Sequence, residues 1–354
     1  VIIMSALRFL VSLYIVVYHM LVVSPWDLRV VSPIFHKGWI GTDFFIILSG
    51  FIIAIAYKEK LQSKKLSPGD FMRGRLLRLW PPHAIIMMLF LCYFLLTKAA
   101  GFTTNDPSFF APSAFVSQLF LTNSFIFTDQ AWNVPTWTLS ALLVCYAIYA
   151  FSIPYFPKVG SPHHILVGAT FWLSAAAIVV FVLLGKSIAH LHEHLALVRA
   201  IPLFFYGAIL GHFSLAIGSL HIKNRGTRAI FLVIFALIVA HSSSGAIADT
   251  IILLLTSGLV LLCSDLRSGR LMHALGRLSF AIYLLHVPMI YVYFPIIRRI
   301  AGLDRTDGAY LTLWLTFPLI VVAAAYVFER FVERPLAKRL KPAAQEHRTI
   351  SATA

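Results

Sequence analysis

VIIMSALRFLVSLYIVVYHMLVV, residues 1–23, is an apolar stretch that nevertheless contains two ionisable side chains, Arg8 and His19. Its length matches the roughly 20 apolar residues that a helix needs to cross a bilayer. Eleven residues at about 100° each place Arg8 and His19 on the same face of one helix, roughly 16 Å apart along its axis. A charge inside a membrane helix costs roughly 2.5–3.5 kcal/mol on insertion scales, so we interpret both residues as functional.

Similar apolar stretches recur along the whole chain. Hydrophobic residues make up 59% of the 354 residues and charged residues 12%, with a mean hydropathy of +0.84, whereas soluble domains carry about 25% charged residues. The composition therefore predicts an all-α polytopic membrane protein. About ten transmembrane helices are expected, at 2–23, 38–56, 81–99, 137–153, 164–184, 200–217, 229–241, 247–264, 274–297 and 309–328.

The remaining segments predict the loops and the orientation. Region 100–136 is too polar for a confident span, and we expect a long loop with an interfacial or re-entrant piece around 113–127. The net charge of +15 lies in alternate loops, which argues against nucleic-acid binding. With the N-terminus inside, the inner segments hold 19 Lys and Arg and the outer ones 8, so both termini are predicted to be cytoplasmic. Residues 1–340 would form one transmembrane domain, and 341–354 a disordered cytoplasmic tail.

An acid near His19 is expected on the second helix. Its opening, GWIGTDFFIILSGF (38–51), places Asp43 at roughly the depth of His19. A carboxylate there would hold the imidazole in one tautomer and stabilise its protonated form. The alternative is that Asp43 only caps its helix and His19 meets interfacial water.

A basic cluster precedes the third helix, in the stretch FMRGRLLRLWPP (71–82). Pro81 and Pro82 are predicted to stop any helix that precedes them. Basic clusters beside membrane helices commonly serve topology and anionic lipid, but arginine is also the preferred clamp for phosphates. A cytosolic phosphorylated donor such as coenzyme A would therefore dock at this cluster, with Arg8 further along its route. The three arginines are Arg73, Arg75 and Arg78.

Six stretches resemble, in order, the motifs of the membrane-bound acyltransferase 3 family. The first carries that family's arginine, ten residues and histidine, and the third its arginine motif. Together the matches run from residue 8 to about 340, nearly the whole chain. The stretches are RFLVSLYIVVYH (8–19), GTDFFIILSGF (41–51), RGRLLRLWP (73–81), TWTLSALLVCYAIY (136–149), LGRLSFAIYLLH (275–286) and FVERPLAKRL (331–340).

The resemblance implies transfer of an acyl group, most often acetyl, from cytosolic acyl-CoA to a hydroxyl of an extracytoplasmic saccharide. By this resemblance His19 would be the catalytic histidine, which we interpret as a general base, and Arg8 its companion. Asp43, placed by its expected depth, would assist His19. Acyl-CoA would be a co-substrate, with no permanently bound cofactor and no metal. The site would open to the extracytoplasmic side of a bacterial inner membrane. Expected partners are the bilayer, a saccharide or lipid-linked glycan and glycan-assembly proteins. The acyl-CoA-binding residues would be Arg73, Arg75, Arg78 and Ser49.

One position departs from the family pattern. Leu142, five residues after Trp137, stands where the family's fourth-helix motif usually carries a glutamate. Another residue then supplies what that carboxylate contributes, or this branch does without it, or activity is impaired. Because this glutamate is replaced by leucine, Asp43 becomes the acid best placed to assist His19.

Further residues are candidates for acceptor binding or support. On the ninth helix, Ser279, Tyr283 and His286 share one broad stripe, and His286 lies about 18 Å from the cytoplasmic start, near the expected level of His19. A structural histidine is at least as good an interpretation there. Trp137 would stack on a sugar or anchor the interface. The loop HLHEH (190–194) is expected to be solvated rather than to bind a metal.

A transporter or flippase is the rival function. It would use Arg8, His19 and Asp43 as an intramembrane polar pathway without chemistry. A third alternative, supported by Leu142 alone, is a degenerate family member that only binds or senses. The ordered motifs favour the acyltransferase.

Overall fold

The computed structural model describes residues 5–102, 108–126, 131–155, 161–217, 225–242, 245–263 and 269–340, so the predicted tail 341–354 lies outside the described residues. Within these ranges the chain is helical and contains no strand. The α-helices are α1 (Ser5–Met20), α2 (Trp39–Gln62), α3 (Pro68–Ala99), α4 (Pro112–Leu119), α5 (Trp137–Ser152), α6 (Pro162–Leu184), α7 (Ala196–Ile217), α8 (Arg225–His241), α9 (Ala246–Cys263), α10 (Arg270–Arg277), α11 (Ser279–Ile300), α12 (Gly308–Phe328) and α13 (Arg334–Arg339).

The fold class is confirmed as an all-α polytopic membrane protein. In the described ranges, eight helices are long and apolar enough to cross a membrane: α1, α2, α3, α5, α6, α7, α11 and α12 with its continuation. Two shorter apolar helices, α8 and α9, correspond to the seventh and eighth predicted spans.

The prediction that two prolines stop the helix before them is wrong. Helix α3 begins at Pro68 and continues through Pro81 and Pro82 to Ala99. Proline lacks an N–H, so it removes an intrahelical hydrogen bond. Membrane helices tolerate this loss because neighbouring groups satisfy the freed carbonyls again. The basic cluster therefore belongs to the same continuous helix as the apolar span that follows it.

Two other boundaries differ from the sequence prediction, and the piece expected around 113–127 overlaps helix α4. The predicted ninth span is two helices, α10 and α11, that meet at Leu278. Helix α12 continues past Phe328 as a π-helical turn, Glu329–Glu333, which leads into α13. In the predicted long loop, α4 is helical and its Gln118 is buried, with its carbonyl 2.8 Å from His83 Nε2 on α3. That segment therefore packs into the bundle.

Helices α2 and α7 are packed backbone against backbone. A Cβ atom on Gly50 would lie 1.9 Å from the carbonyl oxygen of Phe204, and one on Gly207 would lie 1.9 Å from that of Ile47. Side chains larger than hydrogen do not fit at these positions, and small residues commonly permit such close approach between membrane helices. Helices α5, α6 and α9 pack against this pair.

Candidate functional site

The contact between α1 and α11 joins the first candidate residues. Arg8 Nη2 donates a hydrogen bond to Ser279 Oγ at 2.9 Å. Further along, His19 Nδ1 lies 3.3 Å from His286 Nε2, with the ring centroids 4.9 Å apart. The two contacts occur in the same order along both helices, so α1 and α11 run in the same direction. Tyr283 lies between the contacts, with its ring centroid 5.9 Å from that of His286.

Backbone carbonyls define the tautomers of the two histidines. His19 Nδ1 lies 2.9 Å from the carbonyl oxygen of Ile15, and His286 Nδ1 lies 3.2 Å from that of Ile282. A carbonyl oxygen only accepts, so we assign the proton to Nδ1 in each neutral ring. His286 Nε2 is then an acceptor facing the Nδ1–H of His19. This arrangement leaves Nε2 of His19 unprotonated, as a general base requires.

The predicted contact between His19 and Asp43 is wrong. Asp43 Oδ1 accepts a hydrogen bond from Arg199 Nε at 2.8 Å, and both side chains are buried. Arg199 also donates to the carbonyl oxygens of Leu191 at 3.2 Å and Trp39 at 3.4 Å. Asp43 was placed beside His19 because both were expected at the same depth in the membrane. A buried carboxylate requires a cationic partner, however, and that partner is Arg199. Asp43 therefore connects α2 to α7.

Arg199 is the important residue that sequence reasoning missed. It lies just before the predicted sixth span and was counted among the loop charges. The structure begins α7 at Ala196, which brings Arg199 into the buried part of the bundle. Its guanidinium lies 5.3 Å from the centroid of the Trp137 ring, so Trp137 supports this ion pair.

The HLHEH loop contacts the bundle through one of its histidines. His190 Nε2 lies 3.6 Å from Asp249 Oδ2, and the Asp249 side chain is buried while that of His190 is partly exposed. Among the described residues, no group of three or more His, Cys, Asp or Glu side chains could hold a metal ion. This loop is therefore anchored to α9 rather than fully solvated.

A cavity of about 370 Å³, which we call the long cavity, lies between α1, α2, α3, α5 and α11. Its lining on α2 extends from Thr42 to Tyr57, fifteen residues or roughly 22 Å at 1.5 Å per residue. Leu142 also lines it, so the position of the family glutamate is an apolar part of the wall.

Two of the three clustered arginines face the long cavity. Arg75 and Arg78 line it together with Ser49, whereas Arg73 is exposed on α3 and does not. Arg75 is held in place because its Nη2 donates to the Tyr57 hydroxyl at 2.6 Å and its guanidinium lies 4.9 Å from the Tyr57 ring centroid. This end of the long cavity is therefore strongly basic.

The other end of the long cavity approaches the histidine pair. Tyr283 lines the cavity there and is hydrogen-bonded through its hydroxyl to Thr138 and to the carbonyl of Pro135. His286 contacts the Tyr283 ring, so Tyr283 lies between this histidine and the cavity, which is lined by neither histidine. Arg8 and Ser279 line the cavity between its two ends.

A second cavity of about 480 Å³, which we call the charged cavity, adjoins the basic end. It shares Arg8, Arg78 and Phe280 with the long cavity. The remainder of its lining comes from α10, the π-helical turn and α13: Arg277, Glu329, Glu333, Arg334 and Ala337.

Comparison with known proteins gives a consistent result. The family model described as an acyltransferase domain, that of the acyltransferase 3 family, matches residues 2–328. The chain is similar to a Rhizobium radiobacter protein named "Protein 2 in picA locus", with 31% identity over 125 residues. That match covers 32% of this chain and 65% of the relative, less than two thirds of its length. No solved structure matches the chain.

Proposed function

The chain belongs to the acyltransferase 3 family and is a membrane acyltransferase, and from this premise we propose that it moves an acyl group, most commonly acetyl, from cytosolic acyl-CoA to a hydroxyl of an extracytoplasmic saccharide. The observation that carries the proposal is the histidine pair, His19 and His286, which lies behind Tyr283 at one end of a cavity whose other end is lined by arginines. A base at one end and cations at the other suit a donor with a polyanionic head and a reactive thioester.

His19 is the general base of the proposed reaction. A sugar hydroxyl is a poor nucleophile at neutral pH, and a positioned base that removes its proton as it attacks contributes about 10²–10⁴-fold. Nε2 of His19 takes the hydroxyl proton while the oxygen bonds to the thioester carbonyl carbon. The carbon–sulfur bond then breaks, and the leaving sulfur takes the proton back from Nε2. The products are the sugar ester and the free CoA thiol.

His286 is a positioning residue in this proposal. The Nδ1–H of His19 is shared between the carbonyl oxygen of Ile15 and His286 Nε2, and the second contact fixes the orientation of the His19 ring in the tautomer that leaves its Nε2 unprotonated. This is the task that the sequence assigned to Asp43, performed by a neutral ring instead of a carboxylate. The apolar Leu142 in the cavity wall is consistent with a site that works without a carboxylate next to the base.

The donor enters from the basic end, which the distribution of Lys and Arg assigns to the cytosol. The hydrocarbon core of a bilayer is about 30 Å thick, so a cavity of roughly 22 Å crosses much of it. Arg75 and Arg78 face the donor at the entrance, and Arg8 meets it further in, beside Ser279. The acceptor reaches His19 from the opposite side.

Reconstitution tests this function. Purified protein in vesicles, supplied with acetyl-CoA and an envelope glycan, is expected to release CoA thiol and to increase the glycan mass by one acetyl group. Comparing glycan masses from cells with and without the gene identifies the natural acyl group and acceptor. If neither thiol release nor a mass change occurs, the transporter hypothesis gains and the proposal fails.

A further inference from the structure

The charged cavity has an unusual lining for a space that adjoins a membrane-embedded site. Four arginines and two glutamates border it, which gives a formal net charge of +2 with all six side chains ionised. Two of the arginines, Arg8 and Arg78, also line the long cavity. A ligand in the long cavity could therefore extend into the charged cavity past these two side chains.

The π-helical turn creates this arrangement. In a π-helix the repeating hydrogen bond joins residues five apart, so Glu329 and Arg334 lie on one face. Arg334 Nη2 donates to Glu329 Oε1 at 3.0 Å and to Oε2 at 3.1 Å. Single π-helical turns inside α-helices frequently occur at functional sites. An uninterrupted α-helix would align residues three or four apart instead and would separate this pair.

Glu329 holds two arginines at the cavity wall. Besides its three hydrogen bonds from Arg334, its Oε1 lies 3.6 Å from Arg277 Nε, and Glu329 is itself buried. The neighbouring Glu333 has a buried oxygen, Oε2, with no hydrogen-bond partner in the described part of the chain. The carboxylate of Glu329 thus occupies the position that an anionic ligand of the two arginines would take.

We propose that the charged cavity binds the phosphate groups at the nucleotide end of the acyl donor, with Arg277 and Arg334 exchanging Glu329 for phosphate. The inference rests on the proposed function, since it assigns a site to that donor. Guanidinium groups bind phosphate through paired, charge-assisted hydrogen bonds, and Glu329 keeps both groups oriented before the donor arrives. Arg78, which lines both cavities, then contacts the phosphates at the basic entrance of the long cavity, the uncharged arm continues along that cavity towards Tyr283, and the exposed Arg73 is not needed.

The nucleotide end alone provides the test, because it requires no acceptor and no chemistry. Adenosine 3′,5′-bisphosphate is titrated into purified protein in neutral-lipid nanodiscs. Arg277→Gln and Arg334→Gln are each expected to weaken its binding roughly tenfold or more, as loss of a hydrogen bond to a charged group does. Arg330→Gln is the matched control, since Arg330 belongs to the same π-helical turn but is exposed and lines neither cavity.

Glu329→Gln separates ligand binding from a structural role. If Glu329 competes with phosphate for the two arginines, this variant binds the bisphosphate more tightly than the wild type. If the three residues only hold α10 to the end of α12, Glu329→Gln weakens binding and lowers the unfolding temperature, and the proposal is overturned.

Two further outcomes would also overturn it. Unchanged bisphosphate affinity in both arginine variants means that the phosphates bind elsewhere, even where the wild type releases thiol from acetyl-CoA and the proposed function stands. Loss of co-purified anionic lipid in those variants, with bisphosphate affinity unchanged, means that the cavity holds a lipid headgroup phosphate. By contrast, absence of thiol release from the wild type refutes the proposed function.

Discussion

Helices α1 and α11 meet through an arginine, a serine and two histidines, whereas α2 and α7 meet through glycines and one ion pair. In the first contact the polar groups bond to neutral partners, and Arg8 and Ser279 border a cavity. In the second, Asp43 and Arg199 neutralise each other among closely packed backbones. Both contacts bury ionisable groups, which is costly in a membrane. Burial of an ionisable group therefore does not by itself indicate a functional site. A functional site is indicated when the group lacks a counter-charge and lies next to a cavity.

The largest effect on stability is expected from breaking the ion pair on one side. Asp43→Ala leaves Arg199 buried without its counter-charge, and removing one partner of a buried pair costs about 3–5 kcal/mol. Chemical unfolding in detergent measures the loss. Asp27→Ala is the control, because Asp27 pairs with Arg29 on the surface and such pairs contribute little. Full stability with lost turnover would assign Asp43 to the chemistry instead.

A smaller loss of stability is expected from a substitution that pushes the backbones of α2 and α7 apart. In Gly207→Ala the new methyl group would meet the carbonyl oxygen of Ile47, and overpacking of this kind costs about 1–3 kcal/mol. Gly168→Ala serves as the control, since nothing lies within 4 Å of the position of its Cβ. Equal unfolding midpoints for the two variants would show that α2 and α7 are not in tight contact.

The smallest effect concerns the positioning histidine. His286→Ala removes the weaker of the two acceptors of the Nδ1–H of His19 and leaves the Ile15 carbonyl, and a hydrogen bond of this kind contributes about 1 kcal/mol. The expected result is a kcat several-fold to tenfold lower, with an unchanged KM for acetyl-CoA. His241→Ala is the control. His241 Nδ1 faces the carbonyl oxygen of Leu237, four residues earlier, just as His286 Nδ1 faces that of Ile282, but His241 is exposed at the end of α8. A loss of kcat in both variants would count against a specific role for His286.

Hydropathy predicted most of the membrane-spanning helices, because the length of an apolar stretch is an average over many residues and does not depend on any single one. The prediction failed where one local feature decides the geometry. Pro81 and Pro82 read as a helix stop, yet α3 continues because a membrane bundle satisfies the freed carbonyls. Gly276 lies two residues before the break at Leu278, and Pro335 lies two residues after the π-helical turn, but glycine and proline also occur inside continuous helices of this chain, so neither residue specified the change in geometry.

Within one helix, the sequence was sufficient to group the site residues. Ser279, Tyr283 and His286 follow one stripe, since the helical repeat determines it. The sequence was not sufficient to predict contacts between helices. It indicates the depth of a residue in the membrane but not how a helix is rotated about its own axis. Asp43 was expected beside His19 and instead faces α7.

The central claim is that transfer depends on His19 and not on the ion pair, and one measurement compares the two directly. Turnover per folded molecule is measured for His19→Ala and for the double variant Asp43→Leu with Arg199→Met, which removes both charges together. We expect a loss of about 10²–10⁴-fold in His19→Ala and turnover close to the wild type in the folded double variant. Retained turnover in His19→Ala would show that His19 is not the base, and lost turnover in a fully folded double variant would show that the ion pair takes part in the reaction.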